Sequence, residues 1–151
     1  TVIPWRWDRA GFHTLNVCTA ICCSLNDNQL CGINPFNGEG TYTSEGITAI
    51  AEAIRVHSSL TKLSIGSNSI KDEGVIAICE AIQSNKETTK IANLNFRYNG
   101  ITSAGAKSVA AMMAATSSLT SINLADNNLG VEGAKALLEG GAFMGSLTKV
   151  R

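Results

Sequence analysis

LTKLSIGSNSI (60–70), IANLNFRYNGI (91–101) and LTSINLADNNL (119–129) align without a gap. Each has apolar residues at its first, fourth, sixth and eleventh places and asparagine at its ninth. The residues are Leu60, Leu63, Ile65, Asn68 and Ile70; Ile91, Leu94, Phe96, Asn99 and Ile101; Leu119, Ile122, Leu124, Asn127 and Leu129. A glycine follows fourteen places after each start, at Gly74, Gly105 and Gly133. The starts lie 31 and 28 residues apart, and Leu147 opens a further copy 28 residues on. A fixed period of this length marks a repeat architecture, in which one unit cannot bury its own apolar face and must stack on its neighbours.

Within each copy the hydrophobic period changes. Leu63-x-Ile65, Leu94-x-Phe96 and Ile122-x-Leu124 alternate with period two, as in a half-buried strand. One, four, five and eight places beyond each glycine the residues are apolar: Ile47, Ile50, Ala51 and Ile54; Val75, Ile78, Cys79 and Ile82; Ala106, Val109, Ala110 and Met113. Such spacing is one face of an amphipathic helix. In the last copy Ala134, Leu137 and Leu138 hold that face and Gly141 breaks it. The pattern predicts strands at about 22–25, 62–65, 93–96 and 121–124, and helices at about 45–56, 73–84, 104–115 and 131–139.

A degenerate copy comes first, with Ala20, Cys23, Leu25, Asn28 and Leu30. Its glycine, Gly46, falls twelve residues late, so extra material lies between Leu30 and Gly46. Asn34-Pro35 and Asn37-Gly38 are turn dipeptides, which predicts a surface loop inserted at 31–45. Residues 1–19 lie outside the repeat and read as a cap on the exposed apolar end of the first unit. Trp5 and Trp7 in that segment are alternative anchors for a groove or an interface. Residues 20–151 form the repeat domain, about four repeats and a partial fifth.

The pattern L-x-x-L-x-L-x-x-N-x-L at this period resembles the leucine-rich repeat, and its helix-bearing length is similar to the ribonuclease-inhibitor-like subclass. The resemblance implies an α/β solenoid with parallel strands on the concave face and helices on the convex face. It also implies a non-enzymatic protein–protein interaction module, a scaffold or accessory subunit of a larger assembly. Two alternatives stand beside that reading: a regulator of a small GTPase, and the ligand-recognition fragment of a receptor.

Composition narrows the field. Twelve Lys plus Arg balance twelve Asp plus Glu, and aromatics are 5% of 151 residues. Nucleic acid is therefore not the expected partner, because phosphate binding needs a basic excess and base stacking needs aromatic side chains. No run of eighteen apolar residues exists, so no membrane span is expected. Five cysteines, two of them adjacent, and no Asn-x-Ser/Thr acceptor point to a reducing intracellular compartment. That compartment is the cytoplasm or an organelle, a plastid if a leader was removed.

Cys18, Cys22, Cys23 and Cys31 lack the paired C-x2-C knuckles of a zinc site, so no metal is assigned and Cys23 and Cys79 are read as buried thiols. His13 and His57 have no nucleophile or carboxylate at a catalytic spacing, and no glycine motif binds phosphate. No catalytic residue and no cofactor are expected. The candidate partner-binding residues come from the third, fifth, seventh and eighth places, read as the concave face: Lys62, Asn93, Asn95, Arg97, Tyr98, Asn123 and Asp126. Tyr98 and Arg97, flanked by small residues, have the side-chain types enriched at interface hot spots. The C-terminal end, where Leu147 and Val150 restart the pattern, is expected to be covered by further repeats or another chain.

Overall fold

The computed structural model describes residues 22–34, 37–56, 59–85, 90–141 and 149–150. Strands β1 (Cys22–Ser24), β2 (Lys62–Ser64), β3 (Asn93–Asn95), β4 (Ser121–Asn123) and β5 (Lys149–Val150) alternate with helices α1 (Glu45–Val56), α2 (Lys71–Ser84), α3 (Ser103–Ala115) and α4 (Gly130–Gly141). The strands pair in parallel in chain order. The register places Leu63 beside Leu94, Leu94 beside Ile122 and Ile122 beside Val150. Each strand is one residue shorter than the pattern predicts, and α2 starts two residues earlier.

The sheet and the single helix layer share one core. Leu63, Leu94 and Ile122 point from the strands into it, joined by Ile65, Phe96 and Leu124 from the following turns. Ile47, Ile50, Ala51 and Ile54 of α1, and their counterparts in α2 and α3, close it from the other side. Two expectations need correction. Ala134 and Leu138 are exposed although the pattern assigns them to the buried face. Their counterparts in α1–α3 are covered by the next helix along, and among the described residues α4 has none. Cys23 is half-buried because β1 is the first described strand of the sheet.

The ninth-place asparagines join the repeats. Asn99 is 1% exposed, and its amide nitrogen donates to the carbonyls of Ile65, Phe96 and Arg97 at 2.9, 3.1 and 3.2 Å. Its carbonyl oxygen accepts from the backbone N–H of Asn68 and Ile70. Asn68 and Asn127 repeat the pattern one unit earlier and one unit later. Buried backbone groups left open by the turn are thus paired across repeats.

The insert is more ordered than a turn-rich loop would be. Ile33 and Gly40 form an antiparallel bridge, and Thr43 N–H donates to the Cys31 carbonyl. Gly40 has φ +116°, and a Cβ there would lie 2.0 Å from the Gly32 carbonyl oxygen, so no larger residue fits. Tyr42 ties this hairpin to the second repeat: its hydroxyl donates to the Ile70 carbonyl at 3.1 Å, and Lys71 Nζ sits 4.5 Å from its ring centre.

Candidate functional site

Where the strands end, each eighth-place residue adopts a left-handed conformation: Asp27, Ser67, Tyr98 and Asp126 have φ of 58°, 55°, 53° and 58°. This twist lets the next residue, the asparagine, turn inward while the eighth-place side chain stays outside. Asp tolerates the left-handed region because its short side chain bonds locally. A tyrosine there is costly. Tyr98 is 48% exposed and gains no deep packing to offset that cost. Tyr98→Asn is therefore expected to hold stability or raise it by up to about 1 kcal/mol in thermal unfolding. A clear loss would show that Tyr98 packs more favourably than its exposure implies.

Beside it, Arg97 Nε donates to Asp126 Oδ2 at 2.6 Å across the β3–β4 seam. The two side chains are 61% and 49% exposed, so the pair contributes under about 1 kcal/mol and is screened by salt. Its effect is to fix the guanidinium of Arg97 against the next repeat.

The strand faces are polar and partly self-satisfied. Ser64 Oγ donates to Asn26 Oδ1 and accepts from Asn95 Nδ2, both at 2.9 Å, and this leaves Ser64 only 5% exposed. Asn95 Oδ1 accepts from Arg97 N–H, and Asn123 Oδ1 accepts from Ala125 N–H. Asn95 and Asn123 therefore spend part of their capacity shaping the strand exits. Lys62 and Asn93 stand exposed at the opposite ends of the same strands. Together these residues line a shallow depression of about 230 Å³ over β2–β4. That is below the roughly 300–1,000 Å³ of small-molecule sites, and the surface suits a macromolecular contact better.

Of the candidate residues, the structure brings Lys62, Asn93, Asn95 and Asn123 together around this depression, pairs Arg97 with Asp126, and leaves Tyr98 half-exposed in the turn after β3. Trp5 and Trp7 lie outside the described residues. Sequence reasoning missed that Asn26 Oδ1 bridges the Ser64 hydroxyl and Gly66 N–H. It also missed Asp72, whose Oδ1 accepts from the N–H groups of Thr102 and Gly105 and whose Oδ2 accepts from the Thr102 hydroxyl. An acid one repeat before a helix start, placed to reinforce the Thr102 cap of α3, is the signal that could have found it.

Thiol chemistry is suppressed. Burial pushes the Cys31 thiol up against the opposing effects of the Tyr42 hydrogen bond and Lys71. Burial, with Glu80, pushes Cys79 up as well. Both stay protonated near neutral pH and are poor nucleophiles or ligands. Among the described residues no group of three or more His, Cys, Asp or Glu is placed to hold a metal ion. No described helix is long and apolar enough to cross a membrane.

Among curated proteins, no sequence matches the chain. The family model for the leucine-rich repeat matches residues 56–79, 90–110 and 117–138. Among solved structures, the chain is similar to actin-binding site 2 of leiomodin-1, with TM-score 0.68 and 18% identity over 86% of this chain and 68% of that one. It is equally similar to the C-terminal domain of tropomodulin from Caenorhabditis elegans, with TM-score 0.68 and 17% identity over 85% of this chain and 71% of that one. At such identity the likeness is one of fold. Three matched repeats, a parallel sheet in chain order and an inter-repeat asparagine ladder make the chain a member of the leucine-rich-repeat family, of the helix-bearing kind.

Proposed function

We propose that the chain is a non-enzymatic protein–protein interaction module, a scaffold or accessory subunit that docks a protein partner on its concave strands and the rim above them. The observation that carries this reading is Tyr98: a half-exposed aromatic in a costly left-handed conformation, next in sequence to Arg97, whose guanidinium pairs with Asp126. The conformation is common to all four described eighth places, but the fold does not require a tyrosine in it; strained residues cluster at binding surfaces, and Tyr and Arg are enriched at hot spots. The hairpin at 31–45, clamped by Tyr42 onto the second repeat, extends the same rim and would add specificity. The leiomodin-1 domain of this fold is an actin-binding site, so a solenoid of this shape serves protein docking there.

The N-terminal residues 1–19 act as the cap of the first repeat in this reading, and a reducing intracellular compartment fits the buried free thiols of Cys31 and Cys79. The test compares chains captured by the wild-type protein, by Tyr98→Asn and by Lys107→Ala on the convex helices. A partner held through the concave face is retained by Lys107→Ala and lost, or weakened at least tenfold, by Tyr98→Asn, since a hot-spot truncation costs about 2 kcal/mol. Equal capture by all three would sink the assignment. A small-GTPase regulator would instead accelerate GTP hydrolysis in trans, and no such acceleration is expected.

A further inference from the structure

The strand face is segregated by charge in a chain whose acidic and basic residues balance. The register puts Cys22, Lys62, Asn93, Ser121 and Lys149 in one row across β1–β5, the third place of each repeat. Two places on, the fifth-place row is Ser24, Ser64, Asn95 and Asn123. Neither row holds an Asp or a Glu. Asp27 and Asp126 stand at eighth places, beyond the strand ends, and Asp126 is already paired with Arg97.

Hydrogen bonding sharpens the asymmetry. Ser64 Oγ donates to Asn26 Oδ1 and accepts from Asn95 Nδ2, while Asn95 Oδ1 and Asn123 Oδ1 accept from the N–H groups of Arg97 and Ala125. The fifth-place oxygens are thus engaged within the fold. Among the described residues, Lys62 Nζ, the Asn93 amide, the Ser121 hydroxyl and Asn123 Nδ2 make no hydrogen bond or ion pair. All four side chains line the depression over β2–β4. An ammonium only donates, and an amide nitrogen donates twice. What the depression offers is therefore an excess of donors around one positive charge, in a space of about 230 Å³ that takes a side chain better than a whole ligand.

We propose that this depression receives a carboxylate, the side chain of an Asp or Glu in an acidic segment of the protein partner. Lys62 is its counter-ion, and Asn93, Ser121 and Asn123 supply hydrogen bonds to its oxygens. The inference rests on the concave face being the docking surface. Charge and hydrogen bonding select this occupant: a basic segment would meet Lys62 with no acid on the strands to hold it. A phosphate group carries about −1.5 to −2 charges and is matched best by arginine forks, whereas the lining holds one lysine and neutral donors. The acid enters over the third-place row, away from Asp27 and Asp126.

The probes are three short peptides, identical except for Glu, Gln or Lys at alternate positions, and inorganic phosphate. Each is titrated into the full chain, and the side-chain amide signals of Asn93 and Asn123 are followed by NMR. The Glu peptide should bind at about 1 mM or tighter and move both signals. It should bind about fivefold more tightly than the Gln peptide, the scale of one exposed ion pair. Lys62→Gln should erase that preference, Lys62→Glu should transfer it to the Lys peptide, and Lys107→Gln on the convex helices should change nothing. The proposal is overturned if the Glu and Gln peptides bind alike, if neither binds, or if Lys62→Gln keeps the preference. Phosphate moving the same signals at lower concentration than the Glu peptide would also overturn it, making a phosphate group the ligand. Failure here while partner capture still depends on Tyr98 removes the acidic segment and leaves concave docking in place; capture indifferent to Tyr98 sinks the docking surface itself.

Discussion

Asn99→Ala is expected to destabilise the protein by about 3 kcal/mol, the largest loss from any single exchange in the ladder. The side chain is buried and satisfies three carbonyls and two N–H groups, two of the carbonyls in its own turn and the rest in the repeat before. Truncation strands them all, and each unsatisfied buried group costs about 1–3 kcal/mol before relaxation and water recover part of it. Asn127→Ala removes the same set of bonds, but Asn127 is half-buried and water can replace some of them, so about half that loss is expected. Urea unfolding of the two variants measures the difference. Equal losses would mean that burial is not what makes these bonds valuable.

Gly46→Ala should cost about 2–3 kcal/mol, although alanine is the better helix former by about 1 kcal/mol. The reason is local. A Cβ on Gly46 would stand 2.3 Å from the Leu30 carbonyl oxygen and 3.3 Å from its carbon, both backbone atoms that cannot swing away as a side-chain tip can. Gly133→Ala provides the comparison, since its nearest atom is Ala106 Cβ at 3.0 Å and a small shift relieves it. Thermal unfolding should place Gly46→Ala about 5–10 °C below the wild type. A Gly46→Ala protein as stable as Gly133→Ala would mean that the insert lets the Leu30 backbone yield.

The elements were legible because the repeat superposes independent signals. Alternation at Leu63 and Ile65, the change of period after Gly74, and an asparagine between them recur three times, so chance agreement is small. What escaped the sequence depends on residues far apart in it. Whether Leu138 is buried turns on a neighbouring helix, which amphipathicity alone does not supply. The order of the 31–45 hairpin depends on Tyr42 reaching Ile70, 28 residues away. The left-handed eighth place hid because Asp27, Ser67, Tyr98 and Asp126 share a conformation and not a chemistry. Alternation put Asn93 and Asn95 on one strand face, whereas the Asn26–Ser64–Asn95 bridge needed three neighbouring repeats to be placed side by side.

The asparagine ladder has a direction, and direction matters to a chain that emerges from the ribosome one end first. Asn68, Asn99 and Asn127 each reach back, accepting from N–H groups of the preceding turn and donating to its carbonyl. None reaches forward into the turn that follows. A nascent repeat therefore exits with its turn incomplete and waits for an asparagine 40, 31 or 28 residues behind it. At about 5–20 residues per second that delay is a few seconds per unit. Maturation trails synthesis by one repeat along the chain, and the newest turn is always the one left unfinished.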